Sequence, residues 1–256
     1  MITDPLQLKY PIVLIHGLGA RSTYGPVEYF YGLSKLLTDA RNYVFTANLT
    51  PWNTVDFRAR QLKEQVETAI PIGKVNLVGH SMGGLDARYL ASRLGFSERV
   101  ASITTIGTPH RGTSVGDLAV SMVPAAAFTA ADQILQQMDS SSSALKQITR
   151  SYCNGPLAVE AADMPGIAYY SATSVIASPA MTNALPLFWI PHRILKSLEG
   201  DNDGFVSVTS AQWGDHICTY SGDHYAQIGQ FLGRARGMDY MQFYREIFRR
   251  LKKDGL

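Results

Sequence analysis

Six short apolar runs rich in β-branched residues, interleaved with segments of helical periodicity, constrain this chain more than any other feature. In order they are PIVLIHG from Pro11, YVFTANL from Tyr43, KVNLVGH from Lys74, VASITTIGTP from Val100, GIAYYSATSV from Gly166 and DHICTYSG from Asp215. Between the early runs lie VEYFYGLSKLLTDA, TVDFRARQLKEQVETAI and GGLDARYLASRLG, whose apolar residues recur three or four positions apart. Strands that are apolar nearly throughout must be buried on both faces, and amphipathic helices threaded between them supply the covers. The expected architecture is therefore α/β: a mostly parallel central sheet with helices on both faces, in one domain over residues 1–256. With 46% hydrophobic and 17% charged residues, the chain has the makings of a substantial core and not of a disordered tract.

The stretch from Gly112 to Ala184 breaks the rhythm. SVGDLAVSMVPAAAFTAADQILQQMDSSSSALKQI is helical by composition but interrupted by Pro124. Val115, Leu118 and Met122 share one face before the proline, and Ala131, Ile134, Leu135 and Met138 share one after it. This segment reads as an insertion above the sheet. Whether its stripes pack on the core stays open. At the far end, MDYMQFYREIFRRLKK places Tyr240, Met241, Tyr244, Ile247, Phe248 and Leu251 on one stripe, which predicts a carboxy-terminal helix laid on the sheet.

Charge and cysteine content exclude several classes. A formal net charge of +2 is too small for a nucleic-acid-binding face, and the basic cluster in YREIFRRLKKDGL reads as a solvated helix surface. Cys153 and Cys218 fit no metal spacing, and spacing does not choose between two thiols and one disulfide. The opening MITDPLQLKYPIVLIHG lacks the basic, apolar and small-residue order of a signal peptide, and no run reaches the length of a transmembrane segment. As written, the chain reads as soluble, any leader being removed or never present.

The chemistry is concentrated in VNLVGHSMGG, Val75 to Gly84. Gly79 to Gly83 match G-x-S-x-G where a predicted strand gives way to a predicted helix, the setting of a nucleophile elbow. In such a turn the Ser81 hydroxyl projects above the carboxyl edge of the sheet, and the Met82 N–H faces an incoming oxyanion. A serine hydroxyl needs a neighbouring base. In this arrangement the partners follow in the order serine, acid, histidine. His16, His80 and His110 come too early. His192 precedes the best acid and sits at a predicted helix start, and His216 alternates with strand residues. His224, in the loop after the last predicted strand, is the candidate base. GDNDGFVSV supplies the acid, Asp203, with Asp201 as nearest competitor and a plain Asp-Gly turn as the alternative. IHGLG ends the first strand at the same sheet edge, so the Leu18 N–H pairs with that of Met82 as a candidate oxyanion hole, and His16 becomes a loop-shaping residue.

Five motifs in register, YPIVLIHGLG, VNLVGHSMGGLDARYLA, ITTIGTPHRGT, NDGFVSV and DHYAQIG, resemble the bacterial family I triacylglycerol lipases of the α/β-hydrolase fold. The resemblance spans most of the chain and is weakest from Val115 to Pro165. It implies Ser81 as nucleophile, Asp203 as acid, His224 as base, Leu18 and Met82 as oxyanion donors, and a mobile lid within about 112–184. It also marks two departures. Many such lipases hold calcium through an aspartate two residues after the catalytic histidine; here that position is Ala226, so no bound calcium is expected. Ser207, Val208 and Thr209 stand where several members carry a disulfide cysteine.

The expected reaction is ester hydrolysis through an acyl-enzyme, with no metal or organic cofactor. The partner is an ester or lipid substrate, with possible transient contact at a lipid–water interface. A carboxylesterase on soluble esters, or acyl transfer to an alcohol, needs the same residues. ALPLFWIPHRIL, with Leu185, Leu187, Phe188, Trp189 and Ile190, lines an acyl pocket, meets lipid or joins the core. A dinucleotide-binding reading of GLGARS fails at Ser22, where the third glycine is missing, and at the second strand, which lacks the acid for a ribose. A non-catalytic hydrolase-like module would be expected to lack part of the serine, acid and histidine set.

Overall fold

The computed structural model describes residues 6–135, 140–182 and 188–256. Its strands are β1 (Ile12–Ile15), β2 (Thr23–Tyr24), β3 (Val27–Glu28), β4 (Val44–Ala47), β5 (Val75–His80), β6 (Val100–Ile106), β7 (Ala168–Val175) and β8 (Asp215–Ser221). The main helices of the first half are α1 (Leu33–Asp39), α2 (Val55–Ala69) and α3 (Met82–Arg93). Between β6 and β7 come α4 (Ser114–Ser121), α5 (Ala125–Leu135), α6 (Ser143–Lys146), α7 (Arg150–Asn154) and α8 (Pro156–Glu160). The chain ends with α9 (Trp189–Leu198), α10 (Val208–Ala211) and α11 (Tyr240–Lys253).

Six strands form one sheet in the order β4-β1-β5-β6-β7-β8, and every neighbouring pair is parallel. All six apolar runs of the sequence enter it. Alternation along β1 divides the core: Ile12 and Leu14 face the layer built by α1 and α11, whereas Val13 and Ile15 face α2 and α3. The chain leaves β1 toward β4 and then crosses to β5 on the other side of β1. Loops at the carboxyl ends of β1 and β5 therefore diverge and leave a crevice between them, the position where open α/β sheets bind ligands.

Two details differ from the sequence reading. VEYFYGLSKLLTDA is helical only over α1, because Val27 and Glu28 pair with Thr23 and Tyr24 in a two-stranded ribbon around a positive-φ Gly25. On α11 the buried stripe runs Tyr240, Phe243, Tyr244, Ile247, Phe248 and Leu251, with Phe243 fully buried and Met241 at its margin. Asp239 caps that helix by accepting the Gln242 N–H, and Arg250 near its end pairs with Asp215 and Asp254. No described helix is long and apolar enough to cross a membrane.

Phe248 is completely buried and stacks on Tyr244 in the α1–α11 layer. Phe248→Ala should cost about 3–5 kcal/mol of unfolding free energy, read as a lower urea midpoint at unchanged m-value. A loss below about 1 kcal/mol would mean that α11 is not a core element.

Candidate active site

Ser81 follows β5 and precedes α3 with φ 55° and ψ −129°, a left-handed region that a non-glycine residue enters only under constraint. Its N–H donates to the Ile106 carbonyl and its carbonyl accepts from Gly84, so the turn is fixed on both sides. The helix comes so close that side chains are excluded. A Cβ on Gly79 would lie 2.5 Å from the backbone of Gly83, and one on Gly83 would meet the Ile15 carbonyl. That is the physical content of the two flanking glycines.

The loop after β1 is shaped by buried charge. The Arg58 guanidinium of α2 donates to Asp86 on α3 at 2.9 Å, to the His16 carbonyl at 2.7 Å and to the Thr50 carbonyl at 2.9 Å. Both side chains are fully buried, and burial pushes the Asp86 carboxyl up to about 6 against the pull of Arg58. His16 accepts the Leu49 N–H at Nε2 and donates from Nδ1 to the Gly17 carbonyl, which assigns its tautomer. Burial and Arg58 hold its pKa down to about 3, so it is a neutral structural ring. Among the described residues the Leu18 and Met82 N–H groups meet no acceptor. Their neighbours do: Gly17 donates to the Tyr29 hydroxyl and Gly19 to the Pro51 carbonyl.

Asp203 and His224 are brought together directly. His224 Nδ1 donates to Asp203 Oδ2 at 2.7 Å, and the His224 N–H donates to the Asp203 carbonyl at 2.9 Å. Asp203 Oδ1 accepts the N–H groups of Phe205 and Val206 at 2.9 and 2.8 Å. Asp201 instead lies on the surface and pairs with Lys196. His192 hydrogen-bonds Asn202, and Asn202 accepts the Gly204 N–H, so this histidine shapes the acid loop. His216 lies on edge strand β8 between Ser171 and Thr219. His110 is buried against Arg88, Thr105 and Trp213.

Ser81 and His224 line one cavity of about 300 Å³ with Leu18, Tyr29, Trp52 and Tyr225. Val115, Gly116 and Ala119 of α4, with Leu145 and Ile148, form its apolar wall. Ser81 and His224 are not hydrogen-bonded to each other; such contacts commonly tighten only around substrate. A second apolar cleft of about 480 Å³ adjoins it across Leu18, Tyr29 and Tyr225, with Val27, Ile228, Phe231 and Leu232 on its far side. Of the apolar stretch before the acid loop, Phe188 is core, Trp189 is half-buried and Ile190 is exposed; Leu185 and Leu187 lie outside the described residues, as does Met138. Cys153 and Cys218 are both free thiols. No group of three metal-ligating side chains occurs among the described residues.

Three contributors escape a sequence reading. Tyr29 carries no motif, Gln227 sits in DHYAQIG without a role of its own there, and Arg58 looks like one more charge on an amphipathic helix. Only the tertiary fold shows that each is buried at the site.

A serine at positive φ between a parallel strand and a helix, beside a buried histidine–aspartate pair, is the arrangement of the α/β hydrolases. Residues 10–141 match the family described as alpha/beta hydrolase fold, and the chain belongs to it. A triacylglycerol lipase of Vibrio cholerae serotype O1 is 30% identical over 291 aligned positions, covering 98% of this chain and 90% of that protein. A triacylglycerol lipase of Pseudomonas fragi is 28% identical, covering 99% of each. Among solved structures, Staphylococcus hyicus lipase has the same fold, with a TM-score of 0.75 at 18% identity over 99% of both chains.

Arg58→Met should destabilise the protein by about 3–5 kcal/mol, because Asp86 is left buried without its partner. Arg58→Met combined with Asp86→Leu should recover most of that loss. Urea unfolding of the two variants checks the pair; equal stabilities would show that the charges are not coupled.

Proposed function

We propose that Ser81, His224 and Asp203 act as nucleophile, base and orienting acid of a lipase that hydrolyses water-insoluble carboxylic esters, triacylglycerols foremost. The chain is a serine ester hydrolase of the lipase type, in keeping with its full-length relatives. The observation that carries the substrate reading is the pair of apolar clefts, one lined by the serine and the other adjoining it across Leu18, Tyr29 and Tyr225. An ester with an acyl chain on one side of its carbonyl and a bulky apolar alcohol on the other fills both. A small soluble ester fills one at most.

The Ser81 oxygen attacks the ester carbonyl carbon while His224 Nε2 takes its proton. Asp203, accepting from Nδ1, holds the tautomer that leaves Nε2 free and stabilises the imidazolium. The unengaged N–H groups of Leu18 and Met82 receive the negative oxygen, each worth about 2.7–4 kcal/mol in the transition state. Collapse expels the alcohol, protonated by His224. Water, deprotonated by the same ring, then cleaves the acyl-enzyme to the free acid. We read the whole chain as one catalytic unit with a lid within about 112–184, in the part of that range that precedes β7. Its helix α4 turns Val115 and Ala119 to the cavity and leaves Leu118 41% and Met122 74% exposed. An apolar face that lines the cavity in part and reaches the surface in part suits a cap that meets a lipid surface.

Ser81→Ala should abolish p-nitrophenyl ester hydrolysis, a fall of more than about 1,000-fold, with little change in melting temperature. His224→Ala should do the same while His216→Ala keeps most activity; the reverse would move the base to β8. Activity on a short triglyceride should rise once the substrate exceeds its solubility. Plain saturation below that limit, without cleavage of longer chains, would make the protein a soluble-ester carboxylesterase.

A further inference from the structure

We infer that Gln227 is a positioning residue for the acid–base pair, fixing the Asp203 carboxylate against His224 through an amide that His80 of the elbow strand holds in place. The inference rests on Asp203 and His224 being that pair. Gln227 lies in the short turn Ala226–Ile228 three residues after His224 and is fully buried. Its Nε2 donates to Asp203 Oδ2 at 2.8 Å and to Ser174 Oγ at 2.7 Å. A carboxylate only accepts, so the amide nitrogen must face Asp203 and the amide oxygen must face His80. His80 Nε2 lies 3.2 Å from that oxygen and 3.2 Å from the His224 carbonyl, both acceptors, so it carries the proton. His80 Nδ1 then accepts the Tyr29 hydroxyl at 2.7 Å, and that hydroxyl in turn accepts the Gly17 N–H at 3.2 Å.

Every direction in this network is determined. It runs from the loop that carries Leu18, through Tyr29, His80 and Gln227, to Asp203 and His224. Asp203 Oδ2 thereby receives two donors of different kinds: the Nδ1–H of the His224 ring, whose other nitrogen exchanges the proton, and the Gln227 N–H, whose amide does not titrate. Without the second donor Oδ1 stays held by the Phe205 and Val206 N–H groups, but Oδ2 keeps only the His224 bond, and its negative charge falls more fully on that ring. The titratable groups around the His224 ring are Asp203, His80 at 4.4 Å between ring centroids, Asp223 and Tyr225 from its own loop, and Tyr29 beyond His80. Burial and His224 hold His80 well below its ordinary pKa, so the ring beside the base adds no charge.

The test is kcat and KM against pH for Gln227→Met and Gln227→Glu, with Asp203→Asn as control. Gln227→Met cannot donate. Its kcat should fall about tenfold at unchanged KM, as expected for one lost hydrogen bond to a charged group, and its acid limb should move to higher pH. Gln227→Glu places a second carboxyl against the first, and such a pair retains one proton. That variant should keep near-normal kcat at neutral pH and lose it on the alkaline side, a fall expected to be absent from the wild type measured alongside. A purely structural glutamine would lower melting temperature and leave both pH limbs in place, which overturns the inference. If Gln227→Met fails to fold, the alkaline limb of Gln227→Glu decides alone. Full activity in Asp203→Asn would remove the acid itself and with it any role for Gln227. Loss of activity there, with unshifted limbs in the Gln227 variants, overturns the positioning role only.

Discussion

The left-handed backbone of Ser81 is the constraint on which the remainder of the site depends. A non-glycine residue held there costs on the order of 1–3 kcal/mol, and it persists because everything around it is committed. Strand β5 is hydrogen-bonded on both sides, α3 packs against β5 and β6, and the Ser81 N–H is tied to Ile106. Relaxing φ would pull α3 off the sheet and expose Leu85, Leu90 and Ala91, all fully buried. The strain is thus offset by core burial many residues away. Moving the serine out of its crevice would require unpacking that helix.

Around this turn, the site is a set of buried polar groups whose directions are fixed. Arg58 holds the carbonyls of His16 and Thr50, which shapes the loop bearing Leu18, while Asp86 balances its charge from the elbow helix. Breaking such a pair costs more than forming it gains, so its contribution is geometric: it links the β1 loop to α3. The buried histidines divide in the same way. His16 and His80 are kept neutral by burial; His16 bridges one donor and one acceptor, and His80 bridges one donor and two acceptors. His224 bonds Asp203 through one nitrogen and leaves the other for chemistry.

The sheet was legible because its strands are apolar throughout, and β-branched runs of that kind have few other places to go. The elbow was legible because glycines at 79 and 83 answer to backbone contacts that any nearby helix would impose. Asp203 stood out less, since an Asp-Gly turn has many uses; only the hydrogen bond from His224 separates it from Asp201, two residues away and on the surface. Helical spacing runs through Val27 and Glu28 because a two-residue ribbon leaves no periodicity of its own. The expected stripe on α11 includes Met241 and omits Phe243, because helical spacing admits either; packing against Tyr220 places Phe243 in the core. Nothing in the sequence around Tyr29 and Arg58, nor in the DHYAQIG motif that contains Gln227, marks what these three touch. Their roles come from long-range contacts, of which spacing along the chain carries no trace.

The contrast between the two sides of the cavity explains how rigid chemistry and an adaptable entrance coexist. The catalytic side is built from strands, buried bonds and a strained turn. The opposite wall is α4, tied to the acid loop by the Ser114 N–H on Glu199 and by Thr113 on the Phe205 carbonyl, and to α7 by the exposed pair Asp117–Arg150. Glu199 also accepts from Ser207, so the base of α4 and the loop carrying Asp203 share one carboxylate. Exposed ion pairs contribute at most about 1 kcal/mol, far less than the burial that fixes α3. A displacement of α4 therefore meets its main resistance in the apolar contacts of Val115 and Ala119 with the cavity. On the proposed reading of α4 as part of a lid, lipid entering the cavity would replace those contacts in kind, while Leu118 and Met122 would leave water for the same phase. Opening against an apolar surface would then be nearly balanced, whereas opening into water would not.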